Sequence, residues 1–299
     1  MLFSRQIRLE KLVKTAVVTD SNSGITRSQA EKLGVYVVPM PFVINGEEFF
    51  EDINLTQDEF YERLESGADV HTSQPSPEAL LDFWNDVLKE YDELVYIPMS
   101  SGLSGSYQTA RMLAEDYDGK VTVINNQRIS VTQRSSVLDA LDLINKGAQG
   151  SEILKVLEED KFNSAIYIMV GTLDYLKKGG RITPAVATIG NLLKIKPILQ
   201  IQGDKLDAFA VSRTVNGGKQ IMINAIKKDS INRFGGLDPD NVIINMAYSH
   251  NKESADDFSR ELKESLPGFD IYSAPLSLSV SCHIGPNSLA LTATKKLKI

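Results

Sequence analysis

Only one cysteine, Cys282, occurs in the chain, so no internal disulfide can form and a reducing compartment is predicted. Histidine is also scarce, and His71, His250 and His283 show no metal-ligand spacing, which argues against a metal site. No apolar stretch approaches the roughly 18 residues needed to span a bilayer. The opening MLFSRQIRLEKLVK mixes charges among its apolar residues and lacks the uninterrupted apolar core of a signal peptide. A cytoplasmic protein is therefore expected. Positive charge is in short supply as well. There are 32 Lys and Arg against 39 Asp and Glu, for a net charge of −7, and the basic clusters LKKGGR and TKKLK are short. Tracking a nucleic-acid backbone requires clustered cations, so nucleic acid is an unexpected partner.

The 299 residues are 42% hydrophobic, enough for two folded domains with room for a ligand. In the first half, strand and helix signals alternate. TAVVTDS reads as a strand, and Thr26 caps a short helix ending at Gly34. VYVVPMPFVI is strand-like, with prolines that favour an irregular or edge path. Thr56 and Glu59 have capping-box spacing, and Ser76-Pro77 opens an amphipathic helix. ELVYIPM and KVTVIN are further strands separated by the helix SYQTARMLAEDY, so a parallel sheet covered by helices is expected.

Helices near SSVLDALDLINKG and SEILKVLEED lead to a second series beginning at NSAIYIMVG. It contains short helices over TLDYLKKGG and TPAVATIGNLLKI, then a hairpin signature around Gly203-Asp204. A final strand pair is expected at the C-terminal end. The hairpin makes this second sheet mixed. The expected domains are 1–161, a parallel-sheet α/β/α unit, and 162–299, a mixed-sheet α/β unit.

Two hydroxyl-rich loops, HTSQPSP and SSGLSGSYQTA, precede helices. In an open parallel sheet such loops meet beyond the carboxyl ends of the strands, where backbone N–H groups can hold an anion. Serine, threonine and glycine also cap helices and end strands with no ligand present. No P-loop or dinucleotide fingerprint fits Gly102, Gly105 or the Gly218-Lys219 pair. GLSGS nearly matches a nucleophile elbow around Ser104, but Ser106 occupies the last glycine position. His283 reads as part of a Gly-Pro turn between two apolar runs. With Cys282 and His283 on a strand they would point to opposite faces, which argues against a cysteine nucleophile. The residues alone leave open a serine-dependent hydrolase of acyl or phosphoryl esters, or a sensor of a small anion.

TSQPSP, SSGLSGSYQTA, LDYLKKGGRI and HIGP, in this order, resemble the DegV family from about Thr15 to the C-terminus. The resemblance implies a bacterial fatty-acid-binding protein that presents lipid to a fatty acid kinase, and no further cofactor. It implies a tunnel between the two domains, with Thr72 and Ser73, and Ser101 or Ser104, holding the carboxylate. It also places His283 in the head-group network and gives Arg181 a role in phosphoryl transfer or docking. The chain would then bind and present lipid for acyl phosphate formation, without itself being the catalyst. Burying a methylene is worth about 0.8 kcal/mol, so a 16-carbon tail supplies on the order of 10 kcal/mol. Neutral hydroxyls then suffice for the head group. Asn287 stands where the family has the last glycine of H-x-G-P-G, and asparagine tolerates a left-handed backbone. Asn125, Thr132 and Arg134 also depart from the family pattern, leaving the tunnel lining near their helix open.

Overall fold

A computed structural model describes residues 13–181, 183, 186 and 195–298. The helix expected over TPAVATIGNLLKI and most of the MLFSRQIRLEKLVK segment lie outside the described residues.

Four strands form a parallel sheet in the order β2-β1-β6-β7: β1 (Thr15–Asp20), β2 (Tyr36–Val38), β6 (Glu93–Ile97) and β7 (Val121–Val123). Every residue of β1 is buried, as expected for a strand covered on both faces. On one face lie α3 (Pro77–Val87) and α4 (Ser106–Ala114), packing Leu80, Trp84 and Ala110 against Val18 and Tyr96. On the other lie α1 (Arg27–Leu33), α5 (Ser130–Asn145) and α6 (Gly150–Glu159), which bury Ala30, Val137 and Ile153 against Val17 and Val95. Helix starts follow local chemistry: Thr26 and Thr56 form capping boxes, and the Ser76 side chain accepts from the Ala79 N–H.

The second sheet is mixed and has six strands in the order β10-β9-β8-β13-β11-β12. These are β8 (Ser164–Met169), β9 (Lys196–Ile201), β10 (Leu206–Ser212), β11 (Val242–Tyr248), β12 (Tyr272–Pro275) and β13 (Leu289–Lys295). Strands β9 and β10 form the antiparallel hairpin expected around Gly203-Asp204, and β11 and β12 pair in parallel. Helices α8 (Val215–Arg233) and α9 (Lys252–Ser265) cover one face through Met222, Ile226, Phe258 and Leu262. The opposite face, carrying Ile166, Ile168 and Ala290, packs with Ile129 and Val131 at the start of α5. α5 thus contacts both large sheets.

Two elements differ from expectation. VYVVPMPFVI divides: β2 ends at Val38, and Pro41 begins β3 (Pro41–Ile44), which joins β4 (Glu47–Phe50) and β5 (Val70–Thr72) in a separate antiparallel sheet ordered β4-β3-β5. Second, the final strands β12 and β13 do not pair with each other but flank β11. Between them in the chain lies a helix, α10 (Leu278–Ile284), opened by a Ser277 cap that accepts from the Val280 N–H. The small sheet and α2 (Gln57–Glu65) pack on this helix, burying Phe42, Phe60 and Tyr61 with Leu278 and Cys282. Leu278 and Cys282 are four residues apart and so share one helix face.

Candidate functional site

Between the two large sheets lies a cavity of about 280 Å³. Its apolar wall comes from Ile166, Ile168, Ile201, Leu206, Ala247 and Ala290 of the mixed sheet, faced by Met99, Leu103, Ile129 and Val131. Polar residues at the wall include Thr72, Ser73, Gln74, Ser104, Arg181 and His283. Several of these groups are held by hydrogen bonds. Thr72 Oγ1 lies 2.8 Å from His283 Nε2, while Gln74 Nε2 donates to Thr109 Oγ1 at 2.9 Å, joining the end of β5 to α4. Ser104 Oγ accepts from the Ser106 N–H at 3.2 Å, at the start of that same helix.

Thr72 ends strand β5, where it pairs with Phe42, so only from Ser73 onward is HTSQPSP a loop. His283 stands on helix α10 and not in the Gly-Pro turn expected for it. Helical geometry separates it from Cys282: Cys282 enters the core of the small sheet, while His283 lines the cavity. Burial pushes the Cys282 thiol up to about 12, which makes it a poor nucleophile. His283 is brought down to about 4, first by burial and then by the Arg181 charge, so it is neutral at neutral pH. Arg181 is exposed, and its Nη1 donates to the Gly179 carbonyl at 2.6 Å. A short helix, α7 (Asp174–Lys178), leads to it, and Lys178 bonds to Asp69 just before β5.

Of the predicted site residues, the cavity wall takes in Thr72, Ser73, Ser104, Arg181 and His283; Ser101 is not among the lining residues. The Ser101 carbonyl instead accepts from Gln108 Nε2 at 3.5 Å. Asn287 has φ 60°, the left-handed backbone expected at that position. Among the departures near α5, Thr132 Oγ1 donates to the Ile129 carbonyl and Arg134 lies over the Tyr272 ring. Neither they nor Asn125 line the cavity.

Sequence reasoning gave no role to Asp20 or Asn22. Asp20 Oδ2 accepts from the Met99 N–H at 2.8 Å, and Oδ1 from the Asn22 N–H and Gln133 Nε2, each at 3.0 Å. These bonds anchor the SSGLSG loop to the carboxyl end of β1, and burial raises the Asp20 carboxyl to about 6. Asn22 lines the cavity and accepts from Ser277 and Ser279, linking the parallel sheet to α10. Apart from the local Asn22 N–H bond to Asp20, the partners of these two side chains named here, Met99, Gln133, Ser277 and Ser279, are all far away in sequence. Glu51 is a further, partly buried acid. It accepts from the Leu278 N–H at 2.9 Å, and burial lifts it to about 7.

These shifts set a pH dependence. Asp20, Glu51 and Asp139 all have folded values above their ordinary ones, mainly through burial, so the stability they contribute is lost as pH rises through about 6 to 7. His283 acts oppositely, its lowered value costing stability as pH falls below the ordinary histidine range. Three acids outweigh one histidine. Urea unfolding is expected to show the protein about 2 kcal/mol more stable at pH 5.5 than at pH 7.5. Glu51→Gln should narrow that gap; a protein more stable at the higher pH would contradict these assignments.

Among the described residues, no group of three or more His, Cys, Asp or Glu side chains could hold a metal ion. Nor is any described helix long and apolar enough to cross a membrane.

A DegV family domain-containing protein from Staphylococcus aureus is 31% identical over 288 residues, covering 95% of this chain and 100% of that protein. A DegV family protein from Thermus thermophilus, described by its fatty acid binding, superimposes with a TM-score of 0.85 at 28% identity, covering 95% of this chain and 100% of the other. Bacillus subtilis DegV, described as a fatty acid binding protein, superimposes with a TM-score of 0.83 at 27% identity and the same 95% and 100% coverage. The model of the DegV family, whose description reads "Uncharacterised protein", matches residues 14–296. The chain therefore belongs to the DegV family.

Proposed function

We propose that this protein binds a long-chain fatty acid in the cavity, between units formed by residues 1–161 and 162–299. The carboxylate would face Thr72, Ser73, Ser104 and His283, and it would be presented to the ATP-binding subunit of a fatty acid kinase. The observation that carries this reading is one apolar cavity whose polar wall residues are mainly neutral hydrogen-bonding groups. Tail burial supplies the affinity, and the hydroxyls orient the head group without locking it in a salt bridge. A carboxylate oxygen then remains free to attack the γ-phosphorus of ATP on the partner, forming a C–O–P linkage as the bond to ADP breaks. Arg181, exposed at the cavity wall, is suited to meet the transferring phosphoryl group.

The same geometry disfavours hydrolysis. His283 Nε2 is engaged by Thr72, Ser104 Oγ accepts from a backbone N–H, and among the described residues no histidine is bonded to the serine as a base. Lipid-free protein titrated with oleate should bind one equivalent, and Thr72→Val should weaken binding about tenfold. Arg181→Ala should bind oleate normally yet be phosphorylated by the kinase at least tenfold more slowly. Equal loss of both activities in Arg181→Ala would reject the division of roles, and absence of oleate binding by the unaltered protein would reject the function.

A further inference from the structure

The two glycines of KKGGR serve different purposes. Gly180 has φ +67°, a left-handed turn that favours glycine. Gly179 has φ −77°, which any residue adopts, so its backbone does not call for glycine. The space beside it does. A Cβ on Gly179 would stand 2.0 Å from His283 Nδ1 and 2.7 Å from His283 Cε1. Even alanine would have to displace the imidazole or the turn.

This close approach decides how the ring is protonated. His283 Nδ1 is buried and has no hydrogen-bond partner among the described residues, and Nε2 sits 2.8 Å from Thr72 Oγ1. A proton on Nδ1 would be a buried donor with no partner among the described residues, whereas a bare Nδ1 lone pair can sit against the side of Gly179 that a Cβ would fill. The ligand's chemistry leads to the same tautomer. A carboxylate only accepts hydrogen bonds, and threonine has a single hydroxyl hydrogen. If Thr72 gave that hydrogen to Nε2, only lone pairs would remain to face the carboxylate. If Nε2–H donates to Thr72, the hydroxyl hydrogen is free for the ligand.

We propose that Gly179 is a positioning residue that holds His283 in its Nε2–H form, so that Thr72 donates its hydroxyl hydrogen to the bound carboxylate. The inference rests on the fatty-acid reading above. Gly179 also ties this relay to Arg181, whose Nη1 donates to the Gly179 carbonyl. A shift of the turn therefore moves the head-group donor and the exposed cation together.

Protein labelled with 15N-histidine and loaded with oleate provides the test, with His283 assigned by its loss in His283→Asn. Its nitrogen shifts are expected to show a protonated Nε2 and a bare Nδ1. Gly179→Ala should weaken oleate binding at least tenfold, and His283→Ala should weaken it comparably. The double variant should be no weaker than His283→Ala alone, because both substitutions break one relay. A hydrogen on Nδ1 in the oleate complex overturns the proposal, as does wild-type affinity in Gly179→Ala or full additivity of the two losses. Should Gly179→Ala fail to fold, the tautomer in the unaltered protein decides the matter. If the unaltered protein binds no oleate, the fatty-acid reading itself fails.

Discussion

Ala290→Trp is expected to abolish fatty acid uptake while leaving the protein folded. Ala290 lies on β13, paired with Ala247 on one side and Ile168 on the other, and all three side chains line the cavity. It is buried, so an indole placed there enters the cavity of about 280 Å³ and competes for the space an alkyl chain needs. Most substitutions of a buried alanine by a large residue are costly because the core has no room for the added atoms. Here a void exists beside the residue, so the cost falls on ligand binding. Oleate affinity should fall at least about a hundredfold, equivalent to about 2.8 kcal/mol, while the lipid-free protein melts at an unchanged or higher temperature. Undiminished oleate binding would mean that the tail lies elsewhere.

Gly102→Ala should have the largest effect on stability. A Cβ at Gly102 would lie 2.1 Å from the Asp204 carbonyl oxygen and 2.7 Å from both Asp204 C and Cβ. The nearest obstruction is main chain at the tip of the β9–β10 hairpin, which cannot move aside as a flexible side chain would. Ser100 Oγ donates to the same carbonyl at 3.3 Å, so the SSGLSG loop meets the mixed sheet at this point. Leu103 and Leu206, on the two sides of that seam, both line the cavity. Forcing the seam apart should cost about 3 kcal/mol and speed the release of bound fatty acid. Urea unfolding and a lipid-exchange assay measure the two effects. Stability within about 0.5 kcal/mol of the unaltered protein would show that the contact is not close-packed.

The legible parts of this fold are those written in neighbouring residues. Thr56 with Glu59, Ser76 with Pro77, and Gly203-Asp204 each specify a helix start or a hairpin within a few positions, and each forms as expected. The small β4-β3-β5 sheet was obscured because its strands are three or four residues long and interrupted by turns. Helix α10 was missed for another reason. Serine, cysteine and histidine are indifferent helix formers, and the helix is held by long-range partners, with Tyr61 donating to Ser281 and Glu51 accepting from Leu278.

In the candidate site, the cavity-wall residues Thr72, Ser104 and His283 were visible in the sequence. Their scaffold was not. Asp20 and Asn22 act on residues 79 and 255 positions away, a separation no local pattern encodes. Gly179 read only as the end of the short helix over TLDYLKKGG, and its close approach to the His283 ring shows only in the fold.

The central claim is a cavity that holds a long alkyl acid. Native mass spectrometry of protein purified from bacteria, followed by extraction and identification of the bound lipid, tests it most directly. The account predicts one fatty acid per chain, displaced one for one by added oleate. A lipid-free protein that takes up neither oleate nor palmitate would contradict it.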